Sequence, residues 1–409
     1  MPSAAETSTR DGRDAVLRDD MAVGLEAFSE RRPLLLVTGF PPDAAGGGAV
    51  IVRSLLTEED RRRIVWATLA PTAHGHDAGV VSLAGSGGRS ILRDGTVRTG
   101  FLRRALQQLI DERSCSAAWV VSDGVTTRML PGILASGVPT HVSVHDDPAW
   151  GWAALTRRYA VLAPLFARDF RRSLPAARSI DVVSVAMGER YGRYDVTTRI
   201  VHRGLATTVA PAPTYDVAAG LSVAVLGSTY GLRELEVLVA ALGKAGTRLQ
   251  VPTRLTVIGE SDRKALERMC PHSVTLDCPG HLDEATGIAR LRSSFLLYLS
   301  YPFRRRGRIL RTTSFPTKLS TYVMAARPLL LHMPVDSSVA GLDEGSSYAT
   351  LWASTDVDEG AALLERLWRR ERTAFSFHQE ADATRRAHFS YEKNRARLLA
   401  ALNALPIES

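Results

Sequence analysis

Thr312-Thr313-Ser314-Phe315-Pro316-Thr317-Lys318-Leu319-Ser320-Thr321-Tyr322-Val323-Met324-Ala325-Ala326-Arg327-Pro328-Leu329-Leu330-Leu331 is the stretch whose reading decides the fold. It reads as a polar loop, then a helix, then a buried strand. Ser314 or Thr317 is placed to cap the helix N-terminus. Pro316 suits a first turn, where its missing N–H costs nothing. Leu319, Tyr322, Val323 and Ala326 recur at helical spacing. Arg327-Pro328 ends the helix, because the residue before proline avoids the α region. A loop that opens a helix presents free N–H groups to an anion, and Lys318 adds a full charge. A diphosphate is the natural ligand for such a place.

Upstream, Phe295 to Leu299 reads as a strand, followed by the acid-free run Arg304-Arg305-Arg306-Gly307-Arg308 with Arg311 behind it. That run is either a solvated charge cluster or a flexible loop that draws a phosphate or an anionic acceptor toward the anion site. Leu221 to Leu226 is a strand, Gly227 to Gly231 a small-residue turn and Leu232 to Ala245 a helix. Strand, phosphate-compatible turn and helix make Ser228 and Thr229 candidate phosphate contacts. Leu255 to Ile258 and Val274 to Leu276 continue the pattern. Residues 379–404 read as an amphipathic helix carrying Phe389, Leu398, Leu399 and Leu402.

The first half of the chain shows the same rhythm. Leu34 to Val37 is a buried strand, and Gly46-Gly47-Gly48 opens a helix through Val52, Leu55 and Leu56. The glycines suit either a tight turn or a close backbone approach to a ligand. Their spacing is not G-x-G-x-x-G, so a nicotinamide cofactor is not indicated. Ile64 to Leu69, Ala117 to Val121 and Ile180 to Val185 read as strands, with helices at Leu102 to Ile110 and Met129 to Ala135. Alternation at these lengths implies parallel sheets. His141 to Val144 is a strand that ends in His145-Asp146-Asp147-Pro148. Strand carboxyl ends are where open α/β sheets hold ligands. His145 is therefore either a ligand contact or a strand-end histidine satisfied by its own loop. Residues 151–178 interleave Arg157, Arg158, Arg168, Arg171, Arg172 and Arg178 with aromatic and aliphatic residues. This is a solvated helix face or a contact for anionic membrane.

At 409 residues, 45% hydrophobic and 23% charged, the chain has room for two folded α/β domains. The net charge of +8 is carried almost wholly by arginine; Lys318 is one of four lysines. No nucleic-acid module is recognisable, so nucleic acid is not an expected partner. No apolar run approaches membrane-spanning length and the acidic N-terminus lacks a signal-peptide core, so a cytoplasmic protein is expected, peripheral at most. Cys115, Cys270 and Cys278 suggest reduced thiols. His74-Gly75-His76-Asp77 has no further ligand cluster, and no metal is expected.

Phe315, Pro316, Lys318, Leu319, Tyr322, Met324, Ala325 and Pro328 resemble the donor-site helix of GT-B glycosyltransferases, especially family four, with its "fPsKl-x-EyMa-x-G-x-P" pattern. Thr313 and Thr321 stand where that family carries two glutamates, the second of which holds the ribose hydroxyls. Gly47-Gly48 and His145-Asp146 resemble its diphosphate-facing turn and its "vHD". Ala186 to Tyr194 and Ile200 to Gly204 are similar to the end of its acceptor domain and its linker. The resemblance implies an α/β GT-B fold of two Rossmann-like domains facing a central cleft. The expected division is an arm over 1–28, an acceptor domain over 29–208 and a hinge over 209–218. A donor domain over 219–378 and a helix over 379–409 packing back toward the first domain complete it.

The resemblance further implies sugar transfer from a nucleotide-sugar, with no other cofactor, the usual settings being polysaccharide or glycolipid assembly in the cell envelope. His145 and Asp146 would act at the reacting sugar. Gly47, Gly48, Ser228, Thr229, Arg233, Ser314, Phe315, Pro316, Thr317, Lys318 and Thr321 would hold the donor. Family four is generally retaining, and fixed cations in place of a metal make the reaction metal-independent. The two threonines keep a catalytically silent binding module as the alternative. A sugar-nucleotide epimerase ranks below both, for want of its carboxylate and histidine set.

Overall fold

A computed structural model describes residues 24–44, 46–69, 80–83, 99–122, 126–149, 163–194, 196–227, 232–259, 262–344, 346–371 and 377–405. The first half runs β1 (Leu34–Thr38), α1 (Gly47–Leu55), α2 (Glu58–Arg62), β2 (Ile64–Thr68), β3 (Val80–Ser82), α3 (Thr99–Arg113), β4 (Ala117–Ser122) and α4 (Thr126–Leu134). It continues through β5 (Thr140–Val144), α5 (Ala163–Ser173), β6 (Ser179–Val182), α6 (Val185–Gly192) and β7 (Thr197–Ile200). The second half runs β8 (Leu221–Leu226), α7 (Leu232–Leu249), β9 (Thr253–Ile258), α8 (Arg263–Met269), β10 (Val274–Gly280), α9 (Glu284–Arg292) and β11 (Leu296–Ser300). After these come α10 (Arg308–Thr313), α11 (Lys318–Ala325), β12 (Leu329–His332), β13 (Ala349–Trp352), α12 (Val357–Glu371), α13 (His378–Thr384) and α14 (Tyr391–Asn403).

Among the described residues the strands form two sheets, ordered β3-β2-β1-β4-β5-β6-β7 and β10-β9-β8-β11-β12-β13. Every pairing is parallel. The apolar runs that announced β1, β4 and β11 are buried throughout, as strands covered on both faces must be. The strand order reverses between β1 and β4 in one sheet and between β8 and β11 in the other. Such reversals open a crevice at the carboxyl ends of the strands. The loops that leave β1 and β8 are therefore the ones placed to meet a ligand.

Four local expectations are corrected. Thr312 and Thr313 are not loop but the last turn of α10. The arginine run is not a flexible loop: Arg305–Gly307 is a 3-10 turn leading straight into α10. Arg311 is clamped on Asp336 through Nε at 2.6 Å and Nη2 at 3.1 Å, so that cation is structural. The C-terminal helix is two helices separated by a π turn, Arg385–Phe389.

Those two helices join the halves. In α13, Glu380 accepts hydrogen bonds from the backbone N–H groups of Ser347 and Tyr348 at 2.7 and 2.9 Å, on the second half. Leu398, Leu399 and Leu402 of α14 lie in the core beneath the first sheet. There Arg395 meets the buried Asp60 at 2.6 Å, and Asn394 accepts from the His202 N–H at 2.9 Å. The helix α5 turns Ala163, Ala167 and Phe170 inward and keeps Arg168 and Arg172 exposed, and Arg178, between the following 3-10 turn and β6, is exposed too. Arg157 and Arg158, the His74 to Asp77 segment and most of the expected arm lie outside the described residues.

Candidate functional site

On the first half, the site begins where β1 ends. The Thr38 hydroxyl donates to the Phe40 carbonyl at 2.5 Å and accepts from Trp66 Nε1 at 2.8 Å, which fixes the exit of the strand. Arg53 Nη1 then donates to the carbonyls of Pro42 and Ala44 at 2.5 and 2.6 Å, holding the loop against α1. A Cβ on Gly48 would lie 2.9 Å from Phe40 Cε1 and 3.2 Å from His145 Nδ1. Only glycine lets the start of α1 come this close to the end of β5. The turn thus sits against His145, with Asp146 next to it in the chain.

Asp147 anchors the β5 exit. It is buried, and its carboxylate accepts from Tyr191 Oη of α6 at 2.8 Å and from the Ala149 N–H at 2.9 Å, and it pairs as an ion with Arg190 of α6, Nε to Oδ2 2.8 Å. Burial, then the neighbouring Asp147, raises the Tyr191 phenol well above its ordinary range, so Tyr191 serves as a neutral donor.

On the second half, the Tyr322 hydroxyl accepts from the Leu226 N–H at 2.8 Å and donates to the Tyr298 carbonyl at 2.9 Å. One side chain of α11 therefore grips β8 and β11, the two strands that flank the reversal. Lys318 is partly buried at the start of α11, and burial lowers its ammonium from 10.5 to about 8. Neither Ser314 nor Thr317 caps this helix as expected. Thr317 already has helical backbone angles, and its hydroxyl faces the other half of the molecule. Ser314 Oγ is buried without a hydrogen-bond partner. Pro316 is buried and accepts the Leu319 N–H at 2.9 Å. Phe315 lies against His202 with ring centroids 4.3 Å apart and planes tilted by 38°, and packs against both cores, so its ring anchors the loop at the junction.

The halves close on each other here. A Cβ on Gly47 would lie 2.7 Å from Thr317 Oγ1. Ser184 Oγ donates to the Thr313 carbonyl at 2.6 Å. Arg203 Nη1 donates to Ser320 Oγ at 3.2 Å and lies 3.5 Å from Thr321 Oγ1, while its Nη2 pairs with Glu284. Gly47, Gly48, His145, Thr317 and, one residue on, Lys318 thus meet around one cleft. Arg233 is exposed near the start of α7, and Ser228 and Thr229 lie outside the described residues. Sequence reading missed Arg203 and Glu284; the arginine of the Arg203-Gly204 linker was the available signal. Among the described residues no group of three or more His, Cys, Asp or Glu is arranged to hold a metal ion.

No family model matches the sequence, and no curated protein matches it. Solved structures do match. Anabaena HepE in complex with UDP aligns with a TM-score of 0.63 at 12% identity, over 91% of this chain and 100% of that one. Sucrose-phosphate synthase from Thermosynechococcus elongatus gives 0.65 at 13% identity, over 90% and 97%. The fold is GT-B. A glycosyltransferase from Rickettsia africae aligns at 0.59 and 10% identity, over 93% and 100%. Both halves of the GT-B architecture are thus present, and the cleft between them is the one built above.

Proposed function

We propose that this GT-B chain is a glycosyltransferase that moves a sugar from a nucleotide-sugar donor to an acceptor held by the first half. The approach of Gly47 to Thr317, with Lys318 adjacent, carries this reading. It brings a helix N-terminus without a side-chain cap, a lysine and a glycine turn to one place. Structural neighbours described with UDP, and with UDP and glucose, support the same donor class.

In this reading Lys318 and the first turn of α11 stabilise the charge that builds on the departing diphosphate. His145, set against Gly48, orients the sugar, and Asp147 holds the loop that carries it. Fixed positive groups do the work at the leaving group, which makes the transfer metal-independent; attack from the leaving-group face makes it retaining. Arg168 and Arg172 on α5, with Arg178 just after it, supply an electrostatic contact for an anionic membrane surface, since Ala163, Ala167 and Phe170 of that helix are spent on the core. Among the described residues no helix is long and apolar enough to cross a membrane.

One observation favours a second reading, a silent binding module. The Thr313 hydroxyl donates back to the Ile309 carbonyl at 2.6 Å, so this position brings no charge to the cleft. Thermal-shift screening with UDP-, GDP- and TDP-sugars, followed by hydrolysis and transfer assays, separates the two. Binding with turnover supports the transferase, and binding without turnover supports the module. If Lys318→Ala leaves donor affinity unchanged by calorimetry, the anion site is not where this reading puts it.

A further inference from the structure

We propose that Glu284 is the ribose ligand of this cleft, and that it selects donors whose nucleoside carries both the 2′- and the 3′-hydroxyl. The inference rests on the reading of the cleft as a nucleotide-sugar site and narrows the donor class.

A diphosphate held at Lys318 leaves the rest of the nucleotide to lie along α11. Thr317 and Thr321 are one turn apart on α11, about 6 Å along its axis. A nucleoside lying beside that helix brings its ribose to the Thr321 end. Three groups converge there. Arg203 comes from the linker between the halves, Ser320 and Thr321 from α11, and Glu284 from the first position of α9. The Arg203 side chain is only 10% exposed, whereas that of Glu284 is 51% exposed. The guanidinium is therefore a buried bracket, and the carboxylate is the group it presents outward. Asp283 caps α9 through the Thr286 N–H at 3.0 Å, which leaves Glu284 unspent on the helix end.

Charge then decides what this end of the cleft recognises. Glu284 neutralises Arg203, so the Thr321 end does not compete with Lys318 for phosphate, and an exposed carboxylate repels it. A donor is oriented with its diphosphate at Lys318 and its neutral ribose at Glu284. A vicinal diol offers two O–H donors, and a carboxylate offers two acceptor oxygens. Acidic side chains hold ribose hydroxyls in this way in other Rossmann-like sites. A mere latch between the halves would need the same ion pair, but it would not distinguish one nucleoside from another.

The experiment is calorimetry on the full chain with UDP, GDP and ADP, their 2′-deoxy counterparts and inorganic pyrophosphate. The wild type is expected to prefer the best ribonucleotide over its 2′-deoxy form by about 10- to 100-fold, the range for a hydrogen bond to a charged group. Glu284→Ala should bring that ratio close to one without weakening pyrophosphate, and Glu284→Gln should keep part of it. Circular dichroism and melting of both variants confirm that they fold. If Glu284→Ala keeps the ratio, or weakens all three ligand classes equally, the ribose assignment is wrong while the donor-site reading stands. If the wild type binds none of the nucleoside diphosphates, both are wrong.

Discussion

Gly47 and Thr317 come from opposite halves of the molecule, and a methyl group on Gly47 would lie 2.7 Å from the Thr317 hydroxyl oxygen. That separation is shorter than any ordinary contact between a carbon and an oxygen. The halves can approach this closely only because one of the two residues has no side chain. The cleft floor is therefore set by a pair of residues rather than by either sheet alone.

Gly47→Ala forces Thr317 aside or holds the halves apart. Overpacking of this kind costs about 1–3 kcal/mol, so donor affinity should fall by roughly tenfold. The Gly47→Ala/Thr317→Ala double variant should recover part of the loss, because the offending oxygen is gone. Calorimetry around the four-member cycle measures the coupling; additive losses would show that the two residues do not meet in the donor-bound state.

Lys318 sets a pH dependence whose sign follows from its burial. With its ammonium lowered to about 8, the free protein loses this charge as pH rises through that value. A bound diphosphate favours the charged form and pulls the proton back. Donor affinity should decline above pH 8, and binding near pH 8 to 9 should take up a proton. Calorimetry in two buffers of different ionisation enthalpy reads the uptake, which Lys318→Met should abolish. For folding alone the sign is opposite. The depressed ammonium makes the free protein more stable as pH rises from about 8 toward 10.5.

Asp60 joins the last helix to the first half. Burial works to raise its carboxyl, but the bonds from Arg395 and Thr57 outweigh burial and hold it below the ordinary 3.8. Its stabilisation is present above pH 3.8 and is lost as pH falls through the lower folded value. Removing it strands the Arg395 guanidinium and breaks the capping box at Thr57. Asp60→Ala should cost about 3–5 kcal/mol in chemical denaturation. A loss under 1 kcal/mol would mean that the strap formed by α13 and α14 does not depend on this pair.

His202 gives the junction an acid limit. Burial first, then His388 and Arg397, lower its imidazole from 6.5 to about 3. A neutral buried histidine stabilises least when the unfolded chain can take up its proton, so stability should fall as pH drops from 6.5 toward 3. His202→Phe keeps a ring against Phe315 and should flatten the fall in Tm over that range. An unchanged slope would place the titrating group elsewhere.

Much of the fold was legible because its signals are local. The apolar runs Leu34 to Val37 and Phe295 to Leu299, the glycine turn at Gly46 to Gly48 and the strand end at His145 each depend on a few neighbouring residues. Helix ends were harder. Ser314 and Thr317 have the right chemistry for a cap, yet the Ser314 hydroxyl is buried without a partner and that of Thr317 faces Gly47. The helix they precede stops at Ala325, with Ala326 left-handed at φ 52°, before the proline that was expected to end it. The arginine run looked flexible because charge density says nothing about Asp336, which lies 25 positions after the Arg311 it clamps.

By itself the sequence determined two parallel α/β halves, since strand and helix periods are properties of short stretches and show through without any partner. Which side chains face each other was decided only by the tertiary structure. Arg203 reaches Glu284 across 81 positions, and Gly47 meets Thr317 across the cleft. Such pairings depend on the angle at which the halves dock, and that angle is held by the junction around His202 and Phe315 and by a C-terminal strap that returns to Asp60. Packing between distant segments leaves no period in the chain, so nothing in the order of residues announces it.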